Sequence, residues 1–300
     1  MNCEVGSVIF NRKKTKLKDG LTMRKSIQLA YDEFFEMNCE FAAKAGFKEI
    51  SIILADILDK TEEEWDREID RMAEVFNKNG LWCSQSHPYF YDLRVSSEKT
   101  VDRYEFSMQQ AVRASAKLGA EWCVFHPRTS ITTGFSAKQA FEDNRRSIST
   151  YLEVAKKYGT GIAIENLSIF SEFVPMILTY SCVTENLIEL CDSFNDKSVG
   201  ICWDTGHANL MPYDQADKIR LVGERIKCTH IHNNFGIRDT HLTPDQGNIP
   251  WEKVMHAFKE VGYQGALTLE THCRYNEPKL LEDFTRYNYN CLEFLDRLYK

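Results

Sequence analysis

Six short apolar runs in the chain each end in a side chain that can bind a metal or move a proton: His87, His126, Glu165, Asp204, His232 and Glu270. The sharpest is Ile201-Cys202-Trp203-Asp204-Thr205-Gly206-His207, where a run suited to a buried strand stops in a carboxylate, a glycine and a histidine. Each residue has a plain structural reading as well. Asp204 suits the N-cap of a following helix, Glu165 an ion pair with an arginine, and His87 a histidine satisfied within the core. The group carries the stronger argument. Carboxylates gathered in one place repel one another unless a cation neutralises them, so Glu165, Asp204, His232 and Glu270 are read together as ligands of one divalent metal. Three oxygen donors and one nitrogen suit Mn2+, Co2+, Mg2+ or Zn2+, and donor type alone does not choose among them. His230 and His232 alternate, so on a strand both point to one side. His232, nearer the C-terminal end, is expected to be the ligand, with His230 one layer down, supporting a ligand or contacting substrate. His87 and His126 are expected to hydrogen-bond substrate rather than to ligate.

These residues need a frame that brings strand ends together. Apolar runs at about 4–10, 48–54, 81–87, 121–127, 161–166, 199–207, 226–233 and 265–271 read as eight strands, and a helical pattern follows each. A basic loop (Arg12, Lys13, Lys14, Lys16, Lys18) and a helix ending at Gly46 follow the first. Thr61-Glu62-Glu63-Glu64 spells a capping box, and Trp65, Ile69, Met72 and Phe76 continue that helix to Gly80. Ser136 caps the fourth helix, and Pro250 suits the first turn of the helix after strand seven. Strands that are apolar throughout and alternate with helices imply a parallel sheet covered on its outer face. Eight such units close most simply into one (β/α)8 barrel spanning 1–300, an α/β fold whose strand ends converge on a single mouth.

Composition narrows the partners. Hydrophobic residues at 43% and charged residues at 27% describe an ordinary globular chain with a large core. A formal net charge of −7 offers no field that would draw it to nucleic acid or an anionic membrane, and no apolar run approaches the ~20 residues of a membrane span. Ten cysteines without a C-x-x-C pair, in a chain opening Met1-Asn2-Cys3 with no leader pattern, read as reduced thiols of a cytoplasmic protein. What composition leaves is a small-molecule substrate, which the family resemblance given next implies is a sugar or polyol, and, in a homo-oligomer, further copies of the chain.

The motifs I-E-N at 164–166, W-D-T-G-H at 203–207, H-I-H-N-N at 230–234 and L-E-T at 269–271 resemble the xylose isomerase-like TIM barrels. That family holds sugar isomerases and epimerases, inosose dehydratases and the apurinic endonuclease IV group. The resemblance covers nearly the whole chain and implies one divalent metal on Glu165, Asp204, His232 and Glu270. It also implies Glu165 and Glu270 as acid and base across the substrate, His207 in contact with substrate, and Arg238, six residues after His232, gripping substrate oxygens. A divalent ion on a ketose carbonyl and its neighbouring hydroxyl acidifies the carbon-bound proton and stabilises an enediolate. Proton return to the opposite face is epimerisation; return to the neighbouring carbon is isomerisation.

Other readings of the same residues stay open. Loss of a β-hydroxyl from that enolate would make the chain an inosose-type dehydratase. The three-zinc endonuclease pattern also lies over His87, His126, Glu165, Asp204, His207, His232, Glu270, Asp239 and His241. Against DNA stands the segment after strand two, 55–64 (ADILDKTEEE), whose acidic residues repel phosphates. A sugar- or metal-sensing barrel without catalysis would leave both glutamates idle. Tyr89, Phe90, Trp203 and Phe235 either stack on a sugar or belong to the core.

Overall fold

The structure is a computed structural model that describes residues 22–54, 60–88, 98–127, 136–168 and 179–300. Its strands are β1 Arg24–Ala30, β2 Glu49–Ile53, β3 Trp82–His87, β4 Trp122–Phe125, β5 Gly161–Glu165, β6 Val199–Asp204, β7 Ile226–His230 and β8 Ala266–Leu269. From β1 to β7 each strand pairs in parallel with the next in sequence, and β1 also pairs with β8, placing Ile27 opposite Leu269. The seam between β7 and β8 is made by a bridge from Ile231 to Leu269. There Ile231 N–H donates to Thr268 O at 2.7 Å and Glu270 N–H to Ile231 O at 3.1 Å. The expected eight-stranded barrel is therefore present.

Its opening strand corrects the expectation. The strand at Glu4–Phe10 and the basic loop at 12–18 lie outside the described residues, and β1 falls where the first helix was expected to begin. The cause is a polar lining. In Arg24-Lys25-Ser26-Ile27-Gln28-Leu29-Ala30, Ile27 and Leu29 join the apolar layer under the helices while Ser26 and Gln28 stand on the alternate face, so no continuous apolar run marks the strand.

Outside the strands lie α1 Phe35–Ala45, α2 Glu62–Asn79, α3 Glu98–Lys117, α4 Ala137–Tyr158, α5 Thr184–Asp192, α6 Thr205–Asn209, α7 Gln215–Val222, α8 Trp251–Glu260 and α9 Pro278–Tyr299. The short α6 is an addition to the expected one helix per strand. The capping box is formed: Glu64 N–H donates to Thr61 Oγ1 at 3.3 Å, and Thr61 N–H donates to Glu64 Oε2 at 2.7 Å. Pro250 stands just before α8 rather than inside it.

Two apolar layers result. The larger joins the outward residues of the strands, including Ile50, Ile52, Ile162, Ile164, Ile201 and Trp203, to the inner faces of the helices. Trp203 is thus core and not a sugar platform; Tyr89 and Phe90 lie outside the described residues. The smaller layer, Val124, Ala163, Cys202 and Cys228, comes from alternate residues of β4 to β7. Two residues further along those same strands stand His126, Glu165, Asp204 and His230, one step nearer the C-terminal ends. At the opposite end Arg24 bonds Glu49 through Nε at 2.8 Å and Nη2 at 2.9 Å, reaches Glu121 with Nη1 at 3.0 Å, and lies over the Trp82 ring. The cysteines among the described residues are unpaired, and no described helix is long and apolar enough to cross a membrane.

Candidate active site

Strand alternation decides which histidine meets the carboxylates. Asp204 pairs in register with His230, while Cys202 pairs with Cys228 on one side and with Glu165 on the other, so His230 is level with Asp204 and one inward step from Glu165. Its Nδ1 lies 3.2 Å from Glu165 Oε1, 3.0 Å from Glu270 Oε2 and 3.8 Å from Asp204 Oδ2. One donor atom each from Glu165, Asp204, His230 and Glu270 falls within 4.8 Å of all the others. His230, expected a layer below, thus stands where His232 was placed. His232 lies one step further out, with Nε2 3.0 Å from Asp204 and the ring stacked on His241 at 4.1 Å. It gathers with His241 and Glu270 in a neighbouring group.

Glu165 is fully buried and sits at the centre. Oε2 receives His87 Nε2 at 3.3 Å and His126 Nε2 at 3.1 Å, and Oε1 faces His207 Nδ1 at 3.2 Å. Burial raises a carboxyl pKa, but the charges of His230 and His126 and the bonds from His126 and His207 outweigh it and hold Glu165 well below the usual range. His126 is pushed down by burial, offset in part by Glu165. Glu270 is depressed against its own burial by His230 and His241, and keeps 14% side-chain exposure.

Asp204 fills both roles open to it. It caps α6 by accepting His207 N–H at 2.6 Å, and it also faces His232 and His230. Asn166, next to Glu165, fixes it there: Asp204 N–H donates to Asn166 Oδ1 at 2.7 Å, and Asn166 Nδ2 donates to Asp204 O at 2.9 Å. Thr205 Oγ1 accepts from His232 N–H at 3.2 Å and ties β6 to β7.

A second cluster lies outward of the first. Asp239 Oδ2 is 3.2 Å from His207 Nε2 and 3.2 Å from His241 Nε2, and Oδ1 is 3.7 Å from His232 Nδ1. Asp239 is depressed, its bonds to His207 and His241 overcoming burial. Burial opposes protonation of His207 and His241, yet Asp204 and Asp239 raise the first well above the ordinary histidine range and Asp239 and Glu270 raise the second to about 9. Asp239 and His241 ride on a hairpin closed by Asn233 and Leu242, which exchange backbone bonds at 2.8 and 2.9 Å. His241 adopts φ 46°, a left-handed conformation uncommon outside glycine. It aims Nδ1 at Glu270 O, 2.9 Å away, leaving Nε2 to Asp239.

The structure therefore brings Glu165, Glu270, Asp204, His87, His126, His207, His230 and His232 into one mouth. Arg238 is not drawn in: it is exposed on the hairpin and has no ion-pair partner among the described residues. Four further participants lie outside the leading reading of the sequence. Asn166 was visible only as part of I-E-N, Asp239 and His241 only in the nine-residue pattern, and His272 had no signal beyond its place two residues after Glu270. The His272 ring lies 4.6 Å from that of His241.

The donor set fits a divalent metal. The tetrad is buried or nearly so, and two buried imidazole nitrogens, His230 Nε2 and His232 Nδ1, have no hydrogen-bond partner. The fold and this candidate site, carboxylates and histidines at the C-terminal strand ends, define the chain as a (β/α)8 barrel with a polar mouth. The chain belongs to the xylose isomerase-like TIM barrel family, whose model matches residues 39–287. It is 28% identical over 190 residues to the uncharacterized protein MJ1311 of Methanocaldococcus jannaschii, covering 61% of this chain and 62% of that one. It is 27% identical over 128 residues to the D-psicose 3-epimerase of Enterocloster bolteae, 43% of this chain and 40% of the relative. The matched stretches thus span less than two thirds of these relatives. A D-psicose 3-epimerase from Clostridium cellulolyticum H10, solved with D-tagatose, superposes with a TM-score of 0.73 over 93% of this chain and 100% of its own, at 16% identity. That last likeness speaks for the fold alone.

Proposed function

We propose that the chain is a divalent-metal-dependent sugar or sugar phosphate isomerase or epimerase, and the observation that carries this is the tetrad Glu165, Asp204, His230 and Glu270. The similarity to the D-psicose 3-epimerase supports the same reading. A divalent metal would be held by these four, with His232 steadying Asp204, and would acidify the substrate's carbon-bound proton and offset the negative charge its removal leaves. Glu270, the more open glutamate, takes the proton from carbon. Glu165 returns one on the other face, where His87 and His126 hold its Oε2 and pass the proton on. His207 orients substrate oxygens, and Arg238, exposed on the hairpin, swings its side chain toward them when substrate is bound. Incubating the metal-loaded protein in D2O with a panel of ketoses, ketose phosphates and inosose, read by proton NMR, tests the proposal. Deuterium incorporation with epimer or aldose formation supports it, loss of water identifies the dehydratase, and no exchange with any of them refutes it.

A second reading has its own observation. His87, His126 and Glu165 form one further donor group and His232, His241 and Glu270 another, with Asp239 3.2 Å from both His207 and His241. That favours three metals and phosphodiester cleavage. Against it, Glu62, Glu63 and Glu64 open α2 on the mouth side of the barrel and repel a phosphate backbone. Elemental analysis decides: one metal per chain supports sugar chemistry, and three with cleavage of an abasic duplex supports the endonuclease.

A further inference from the structure

Beside the tetrad lies a donor that neither reading of the mouth uses. Cys202 stands opposite Glu165 in the β5–β6 register and opposite Cys228 in the β6–β7 register. Its side chain belongs to the small inner layer rather than to the layer under the helices. One ligand atom each from Cys202, Glu165 and His230 falls within 4.8 Å of the other two, and all three residues are fully buried. Bonds from a divalent ion to sulfur, nitrogen and oxygen run about 2.0–2.3 Å, so a slight turn of these side chains closes the trio on one ion.

Two observations set the trio apart from ordinary core packing. Of the nine cysteines among the described residues, only Cys202 falls in such a group with a carboxylate and an imidazole. His230 also has a nitrogen to spare. Its Nδ1 faces Glu165, Asp204 and Glu270, whereas Nε2 is buried and has no hydrogen-bond partner. A buried polar atom left without a partner is uncommon, and a histidine that bonds an ion is one way to account for it.

We propose that Cys202, Glu165 and His230 form a binding site for a thiophilic divalent cation of the zinc or cadmium class, with Cys202 supplying a sulfur ligand. Sulfur is the soft donor here; Mn2+ and Mg2+ prefer oxygen and gain little from it. Cys202 therefore sets the preference of the mouth between the two kinds of ion. The thiol proton passes to solvent as the metal–sulfur bond forms. The site shares Glu165 and His230 with the tetrad but needs neither a sugar nor turnover, so it stands independently of the sugar reading.

The test titrates the chelator-stripped full chain, its thiols kept reduced by a phosphine, with Cd2+ and separately with Mn2+. Calorimetry measures both affinities, and ultraviolet absorption follows the sulfur-to-cadmium charge-transfer band. The wild type is expected to show the band within the first equivalent of Cd2+. Cys202→Ser, which keeps the volume of the side chain, and Cys202→Ala are both expected to lose it and to bind Cd2+ about tenfold more weakly or worse. Their Mn2+ affinity, set by the tetrad, is expected to stay within about threefold of wild type and shows that the fold is intact. No band in the wild type, or a band that survives in either Cys202 variant, overturns the proposal. Equal losses for Cd2+ and Mn2+ also overturn it, because Cys202 is then packing support for the tetrad. The Mn2+ titration judges the tetrad separately: a chain that binds Mn2+ without a sulfur band keeps the tetrad and loses this site.

Discussion

Gly206 offers a sharp test of how the site is held. It lies in the first turn of α6 beneath His232, and a Cβ there would overlap Cε1 and Nδ1 of the ring and stand 2.6 Å from Nε2. Its backbone has no positive φ, so alanine meets no conformational barrier and helix propensity favours it by about 1 kcal/mol. The ring has little freedom to move aside, being held to Asp204 at 3.0 Å on one edge and stacked on His241 at 11° on its face. Overpacking of this kind costs ~1–3 kcal/mol, so the net loss of stability in Gly206→Ala is about 0–2 kcal/mol. Metal affinity should suffer more. Displacing His232 gives up a charge-assisted bond to Asp204 worth ~1.5–3 kcal/mol, hence about 10- to 100-fold weaker binding. Titration calorimetry of chelator-stripped protein with Mn2+ and Zn2+ measures this directly. Because the damage passes through the ring, Gly206→Ala added to His232→Ala should change little. Wild-type affinity in Gly206→Ala, or losses that simply add in the double variant, would refute the reasoning.

Other consequences are open to measurement. His230→Ala should weaken metal binding more than His232→Ala, because His230 faces three carboxylates of the tetrad; the reverse order would restore His232 as the ligand. Glu270→Gln removes base and ligand together and should cut turnover by several orders of magnitude, with near-normal activity removing it from the mechanism. In stripped protein, His207, His230 and His241 are protonated above their ordinary pKa, His241 up to about 9. Raised histidines contribute fully below about 6.5 and lose that contribution as pH climbs through the folded value, so Tm should fall between about pH 6.5 and 9. The depressed Glu165, Asp239 and Glu270 act oppositely, their contribution being lost on acidification below about pH 4; a flat alkaline limb would contradict the histidine assignment. At the far end, Arg24→Met leaves the buried Glu49 unpaired and should cost ~3–5 kcal/mol in chemical denaturation, with Glu49→Gln in the same chain recovering part of it.

What the sequence made legible follows the physics of strands. β5 and β6 read as apolar runs because both their faces meet apolar atoms until the last residue, and Glu165 and Asp204 stand out against them. β1 was misplaced because its interior face is Ser26 and Gln28, polar side chains that a barrel interior accepts and an apolar template rejects. The choice between His230 and His232 as ligand turns on register rather than on periodicity. Both point inward, and only the register against Cys202 and Asp204 shows which one is level with the carboxylates. Asp239 and His241 lie beyond any strand. Their approach depends on the Asn233–Leu242 bridge and on a left-handed backbone at His241, neither of which leaves a periodic trace.

Charge balance links the two readings of the mouth to something observable. Glu165, Asp204, Asp239 and Glu270 bring four carboxylates together at the mouth, the first two buried and the side chains of Glu270 and Asp239 14% and 30% exposed. One divalent ion leaves two of them, and the neighbours placed to neutralise these are His207 and His241, which stand against Asp239 at 3.2 Å each. A one-metal enzyme therefore keeps both imidazoles protonated as donors toward substrate oxygens. A three-metal enzyme strips them, because a ligating histidine is neutral. In the metal-loaded protein, His241 resonances that titrate on the alkaline side of neutrality favour sugar chemistry. Resonances that do not titrate, in a protein shown to hold three metals, favour cleavage of phosphodiesters.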